Sequence, residues 1–467
     1  MKNMRPTLHV TPKAGWINDP NGFSYAFGQY HIFAQHNPLD TKWGPMHWIH
    51  FVSKDLIQFE EVGIALKPDQ SYDHLFGCFS GSALEVNNQH LLFYTGAIEG
   101  KQQQCFAVSN NGRDYIKPMT NPIIAEDNLP EEFLIADFRD PYVFIKDGIY
   151  YLLVSARKKI GGSAILMYKT SNLSDYQFVG VSLETGCDVN EMIECPSVFF
   201  DKGQTVLLYS LQFKKSSNEY QFQNIHSTLY VIGEFDFITG RFISKSEHRE
   251  IDSGFDFYAP QTMTRDGKHY MIAWANMWDR QYPSSQVGYV GQLTMVRQIS
   301  IENGRLIQHF PSALANYYQS NLTISQQAVN VLEPLSATSA TYRLKINLTL
   351  KKELKISLVE DDSVAVILNP EKRLITFVRG EILNVDETST RIRKIKVEDE
   401  MDNLNLELVV DNCSLEMLIN DGKQSFTMTF FTQQRHRLKL ESKDETKFGV
   451  ESLVYNVLNT RRNSYEN

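Results

Sequence analysis

Apolar residues in this chain come in short runs of alternating polarity, and through the first 300 residues the runs recur in one order. A polar or Pro-containing start leads into a short apolar strand. A turn dipeptide follows, and a second apolar or aromatic strand returns. The starts are Asn18-Asp19-Pro20, Phe79-Ser80-Gly81, Arg139-Asp140-Pro141, Glu194-Cys195-Pro196 and Tyr258-Ala259-Pro260. The turns fall at Phe27-Gly28, Asn87-Asn88, Asp147-Gly148, Lys202-Gly203 and Asp266-Gly267. Asp-Gly between apolar runs is a strong hairpin signal, since both residues tolerate the positive φ of a tight two-residue turn. The steps between Asp19, Ser80, Asp140, Glu194 and Tyr258 are 61, 60, 54 and 64 residues. Each holds four short strands with their turns, which is one blade of a β-propeller, so the pattern predicts five blades.

The pattern changes near residues 310–335. Residues 323–339 are rich in Ser, Ala and Gln and read as a linker or a crossing strand. Beyond them come alternating strands such as Tyr342-Arg343-Leu344-Lys345-Ile346 and Leu404-Asn405-Leu406-Glu407-Leu408, with a hairpin at Asn420-Asp421-Gly422. Short period-two strands with frequent turns predict a β-sandwich. The expected architecture is all-β: a five-bladed β-propeller over residues 1–315, a linker over 316–335 and a β-sandwich over 336–467. No acid constellation is visible in the sandwich, which is expected to play a supporting role.

Composition narrows the function classes. The chain has 467 residues, 42% hydrophobic and 22% charged, with a net charge of −9 and no basic cluster. That balance argues against nucleic acid or an anionic membrane as partner. No run approaches the roughly 18 apolar residues of a membrane span, and no apolar segment follows the N-terminal charges. Five scattered cysteines, without a Cys-x-x-Cys pair, suggest a reducing compartment and no zinc site. A cytoplasmic location is expected; oligomeric state is left open. His31, His36, His47 and His50 are read as core or loop residues, with neither metal nor cofactor expected.

The chemistry concentrates at the repeat starts. Trp16-Ile17-Asn18-Asp19-Pro20-Asn21-Gly22 places a carboxylate between an aromatic platform and a stiff turn. A turn needs neither tryptophan nor carboxylate, whereas a sugar site uses both. If equivalent strands line a central axis, Asp19, Asp140 and Glu194, read as equivalent positions of three copies, meet at one end of it. Two carboxyls flanking an acetal are the equipment of glycoside hydrolysis. Glu194, between Ile193 and Cys195-Pro196, is expected to resist ionisation and serve as an acid. Asp19, among Asn18, Asn21 and backbone donors, is expected to stay ionised as a nucleophile. Asp140, beside Arg139, is expected to stay ionised and grip sugar hydroxyls.

These segments, with Trp43-Gly44-Pro45-Met46-His47-Trp48, Phe79-Ser80-Gly81-Ser82 and Asp256-Phe257-Tyr258-Ala259-Pro260-Gln261, occur in the order found in glycoside hydrolase family 32, which the chain resembles. Tyr230-Val231-Ile232-Gly233 and Glu416-Met417-Leu418-Ile419-Asn420-Asp421-Gly422 extend the likeness. The resemblance implies a five-bladed propeller with a β-sandwich and retaining hydrolysis at a β-fructofuranosyl C2. It makes Asp19 the nucleophile, Glu194 the acid/base and Asp140 a transition-state stabiliser. It places Trp16, Ile17, Asn18, Gln35, Trp43, Phe79, Ser80, Arg139, Cys195, Tyr258 and Trp274 at the substrate, a small carbohydrate: sucrose, its 6-phosphate or short fructo-oligosaccharides. Trp48 is followed by Ile49-His50-Phe51 where the family often has Gly-His-Ala. Arg157-Lys158-Lys159 and Lys214-Lys215 could face a phosphate or simply be solvated loops. A related pentosidase and a carbohydrate-binding propeller without catalysis are the alternatives.

Overall fold

The computed structural model describes residues 4–214, 218–333, 340–380, 383–384, 391–399, 401–443 and 446–458; residues 1–3 and Lys215 lie outside that set. Strands dominate it, with three short 3-10 turns. The N-terminal part is propeller-like. Antiparallel sheets begin at the strands Gly15–Ala26, Gly77–Val86, Phe133–Lys146, Met192–Asp201 and Tyr258–Arg265, each pairing with the strand that follows it. These innermost strands touch their neighbours in sequence, and the last returns to the first. The short strand Tyr289–Val290 then pairs in parallel with Gly15–Ala26, tying the end of the ring to its start.

The five hairpin turns are where the dipeptides place them. Both central residues have positive φ at Phe27-Gly28, Asn87-Asn88, Asp147-Gly148, Lys202-Gly203 and Asp266-Gly267, the conformation whose twist matches that of the strands.

A second feature repeats with the blades. Every innermost strand slips register against its partner near its head, between Ile17 and Pro20, Phe79 and Gly81, Arg139 and Tyr142, Glu194 and Ser197, and Tyr258 and Gln261; the first slips again between Asn21 and Ser24, and the third also between Leu134 and Phe138. Such bulges re-aim side chains. Asp140, Cys195 and Ala259, each before a proline, sit at φ of 67°, 48° and 50°, a region that costs a non-glycine residue about 1–3 kcal/mol. Neighbouring side chains hold each of them. The N–H of Asp140 donates to Thr95 Oγ1 (3.0 Å), that of Cys195 to Asp140 Oδ2 (2.9 Å) and that of Ala259 to Ser210 Oγ (3.1 Å).

The C-terminal part is a sandwich of two six-stranded sheets over one apolar core that includes Leu344, Ile356, Leu406, Met417 and Phe426. Tyr318–Val329, within the stretch expected to link the parts, is a strand paired with Phe448–Leu458; residues 334–339 lie outside the description. The contact between the two parts joins an apolar cluster, in which Met295 and Leu314 meet Val409 and Leu418, to a buried ionic network. His9 lies 3.0 Å from both Asp411 and Glu416, Arg297 joins Glu416 (2.7 Å) to Asp252 (2.9 Å), and Asp256 meets Arg280 (3.1 Å) and Arg379 (2.7 Å). The sandwich thus carries acids after all, spent on docking. Among the described residues no helix is long and apolar enough to cross a membrane.

Candidate active site

The bulges sort the chemistry into two layers, which corrects the single phase expected from the repeat. Phe79, Arg139, Glu194 and Tyr258 are the last residues paired before the slip, a position that Ile17 holds in the first strand; Ser80, Asp140, Cys195 and Ala259 follow them, while Asn18 and Asp19 both fall within the slip of the first strand. Glu194 is therefore the counterpart of Arg139, one residue ahead of the position that Asp140 holds. The acids still converge, through Cys195 between the two aspartates and Arg139 between Asp140 and Glu194.

Within a layer, side chains of adjacent strands meet. Ser80 Oγ donates to Asp19 Oδ2 (2.7 Å) and receives the Gln35 amide. Cys195 Sγ stands 3.6 Å from Asp19 Oδ2 and 3.6 Å from Asp140 Oδ2, bridging the two aspartates. In the other layer Arg139 puts Nε and Nη2 on Glu194 Oε1 (3.2 and 2.9 Å), and Tyr258 donates its hydroxyl to Glu194 Oε2 (2.5 Å). Asp19 Oδ1 is buried and has no hydrogen-bond partner among the described residues.

The electrostatics follow from these contacts and differ from the expected ones. Burial pushes the Asp19 carboxyl up, against the Ser80 hydroxyl and with the help of Glu194, so its surroundings do not protect its charge. Burial lifts Asp140 to about 7; Arg139 opposes this and Glu194 reinforces it. Burial would raise Glu194 too, but the Arg139 guanidinium and the Tyr258 hydroxyl hold it below the usual carboxylate range. The expectation gave Arg139 to Asp140. The bulge turns Arg139 toward its own layer, leaving its Nε 3.9 Å from Asp140. The carboxyls titrate as a set.

Other expected site residues divide. Trp16 Nε1 donates to Asn18 Oδ1 (2.8 Å), and the Trp16 ring lies 5.8 Å from Trp274 and 5.9 Å from Trp278. Trp43 is exposed and meets Phe79 edge-on at 5.9 Å. Trp274 is fully buried behind Trp16, and Ile17 lies in the apolar core beside Phe23 and Ile32; neither presents a free face. Tyr258, expected at the substrate, is a hydrogen-bond donor to Glu194. The sequence reading missed Asp137, Gln102, Thr95, His226 and Trp278, which no repeat position marks. Arg157 is taken up by Asp137 (2.7 Å) and Lys158 by Glu184 (3.1 Å), while Lys214 stands 4.0 Å from Glu191. His31 and His50 are buried, joined at 2.9 Å and packed on Phe33 and His90. Among the described residues no cluster of His, Cys, Asp and Glu is arranged to hold a metal.

The family model for the glycosyl hydrolases family 32 N-terminal domain matches residues 9–310, and that for the C-terminal domain matches residues 312–456. The chain belongs to glycosyl hydrolase family 32. It is 31% identical over 451 residues to a sucrose-6-phosphate hydrolase of Vibrio alginolyticus, covering 95% of this chain and 89% of that one. It is 30% identical to a raffinose invertase of Escherichia coli, covering 92% and 90%. Among solved structures, a sucrose-6-phosphate hydrolase from Lactobacillus gasseri superposes with a TM-score of 0.87 at 29% identity, covering 98% and 94%. A Bombyx mori family 32 β-fructofuranosidase does so with 0.83 at 27%, over the same shares. This family 32 chain is a hydrolase of the β-fructofuranosidase class.

Proposed function

We propose that the site releases terminal β-D-fructofuranosyl residues from small carbohydrates with retention of configuration. Asp19 attacks the fructosyl C2. Glu194 protonates the departing oxygen and then deprotonates the water that resolves the covalent intermediate. Asp140 and Arg139 hold fructosyl hydroxyls, with Asn18, Gln35, Trp43, Phe79 and Ser80 around the ring. The observation that carries this is the state of Asp19: one oxygen is anchored by Ser80 while the other, buried and unpartnered, is left for a substrate atom. Fructosyl hydroxyls that draw on Arg139 would relax its hold on Glu194 and let that carboxyl take up the proton it must donate.

Sucrose, sucrose 6-phosphate and short fructo-oligosaccharides are the substrates in view. The pairing of Arg157 and Lys158 with carboxylates favours neutral sugars as readily as phosphorylated ones. The same reading counts five blades, supported by the ring of inner strands, with the propeller over residues 1–315 and the sandwich over 336–467. The pairing of Tyr318–Val329 favours counting most of the 316–335 stretch with the sandwich. A cytoplasmic location goes with it, in keeping with five free cysteines. The test is sucrose hydrolysis by wild type, Asp19→Ala and Glu194→Gln. Each substitution should cost at least roughly a thousandfold in kcat; full activity in either would overturn the assignment. Specificity constants for sucrose, sucrose 6-phosphate and kestose then rank the substrates, and equal values for the first two would dismiss phosphate recognition.

A further inference from the structure

Arg139 does not belong to Glu194 alone. Its Nη1 donates to Asp137 Oδ1 (2.8 Å) and to Gln102 Oε1 (3.2 Å). Asp137 turns its other oxygen to Arg157 Nε (2.7 Å), and Arg157 Nη1 is held by the Val189 carbonyl (2.6 Å). Charges therefore alternate along a chain that ends in the site: Arg157, Asp137, Arg139, Glu194. The backbone builds this chain. Asp137 and Arg139 are two apart on one strand and share a face, and the register slip between Leu134 and Phe138 turns Asp137 beside Arg157 of the next strand.

We propose that Asp137 is a positioning residue for the acid/base step: it shares Arg139 with Glu194, and Arg157 governs how strongly it does so. This rests on the reading of Glu194 as acid/base. A carboxylate that takes part of the guanidinium's charge leaves less of it on Glu194, so Glu194 takes up a proton more readily than an unshared Arg139 would allow. The other groups facing Glu194 are Tyr258 and His226, with Asp140, Asp19 and Cys195 on the aspartate side. None of these contacts Asp137 in the chain just described, so changes at Asp137 and Arg157 address one path.

The test is the pH dependence of kcat/KM for sucrose in wild type, Asp137→Asn, Asp137→Glu and Arg157→Gln. Asn keeps an acceptor for Arg139 and removes only the charge. The alkaline limb, on which Glu194 loses its proton, should move to lower pH by about half a unit to one unit in Asp137→Asn and return in Asp137→Glu. In Arg157→Gln it should move the other way, to higher pH, because Asp137 then draws more fully on Arg139. Opposite signs are what a merely structural role would not produce. Limbs that overlay wild type, or that shift in the same direction in both charge variants, overturn the proposal. If Asp137→Asn does not fold, the upward shift in Arg157→Gln decides alone. Glu194→Gln separates the two levels. Loss of the alkaline limb there, with no movement in the other variants, refutes only the role of Asp137; wild-type turnover there refutes the acid/base reading itself.

Discussion

His9→Gln should make the stability of this protein less dependent on pH, with a size and sign set by the joint between its two parts. The His9 side chain is fully buried, 3.0 Å from Asp411 and 3.0 Å from Glu416. Burial alone would discharge the imidazole, but hydrogen bonds and charge from the two carboxylates outweigh it and raise the group from 6.5 to about 9. Asp411 is correspondingly lowered to about 2, against its own burial, by His9 and by backbone donors that include Leu8 and Thr7. A folded value 2.5 units above the unfolded one corresponds to about 3 kcal/mol at 1.36 kcal/mol per unit. Because the folded value is the higher one, this stabilisation is fully present below pH 6.5 and is lost as pH rises through 9. His9→Gln, which cannot charge, should therefore be less stable than wild type by about 3 kcal/mol at pH 6, and the gap should close by about that amount at pH 9.5. Denaturant unfolding followed by tryptophan fluorescence between pH 5.5 and 10 measures the gap. Taking wild type minus variant removes the tyrosines and cysteines that also titrate at high pH. A gap that does not change with pH would refute the charged state of His9 and the account of the joint as a salt-bridged one.

Three further outcomes follow from the site and the core. Tyr258→Phe removes a 2.5 Å hydrogen bond to ionised Glu194, so the alkaline limb of kcat/KM should move to higher pH and kcat should fall about tenfold; an unmoved limb counts against the contact. Ser80→Ala removes the donor to Asp19 Oδ2, so the acid limb should move up as Asp19 becomes harder to ionise, again with about a tenfold loss; a downward shift counts against it. His50, stacked 4.3 Å from Phe33 and driven by burial to about 2, contributes stability that is present above pH 6.5 and is lost as pH falls below it. Relative to wild type, His50→Phe should gain about 1.4 kcal/mol for each unit of acidification between pH 6.5 and 4.5, read from thermal midpoints converted to free energies; parallel profiles would show that His50 is not held neutral.

Much of this molecule is legible locally. The five positive-φ turns are visible as dipeptides because their backbone requirement is met by the residues themselves, and strand alternation reports burial on one face of a sheet. Trp16, Asn18, Asp19 and the Arg139-Asp140-Pro141 and Glu194-Cys195-Pro196 triplets are visible because each joins an unusual residue to a backbone constraint. Asp137, His226 and Thr95 carry no such mark; they matter through what stands opposite them in space. Ile17 and Trp274 come to the site only with the resemblance, yet both side chains are buried, Ile17 in the core beside Phe23 and Ile32 and Trp274 behind Trp16.

The sequence by itself determined the kind of strands, where they turn, and that acids stand at the head of three of the repeats, because these depend on interactions a few residues long. Only the tertiary structure decided that bulges split those heads into two layers, that Arg139 serves Glu194 before Asp140, and that Asp411 and Glu416 of the sandwich close on His9. Those choices turn on a register slip of one residue and on charges brought within 4 Å from positions up to 407 apart, and neither is written in any local stretch of the chain.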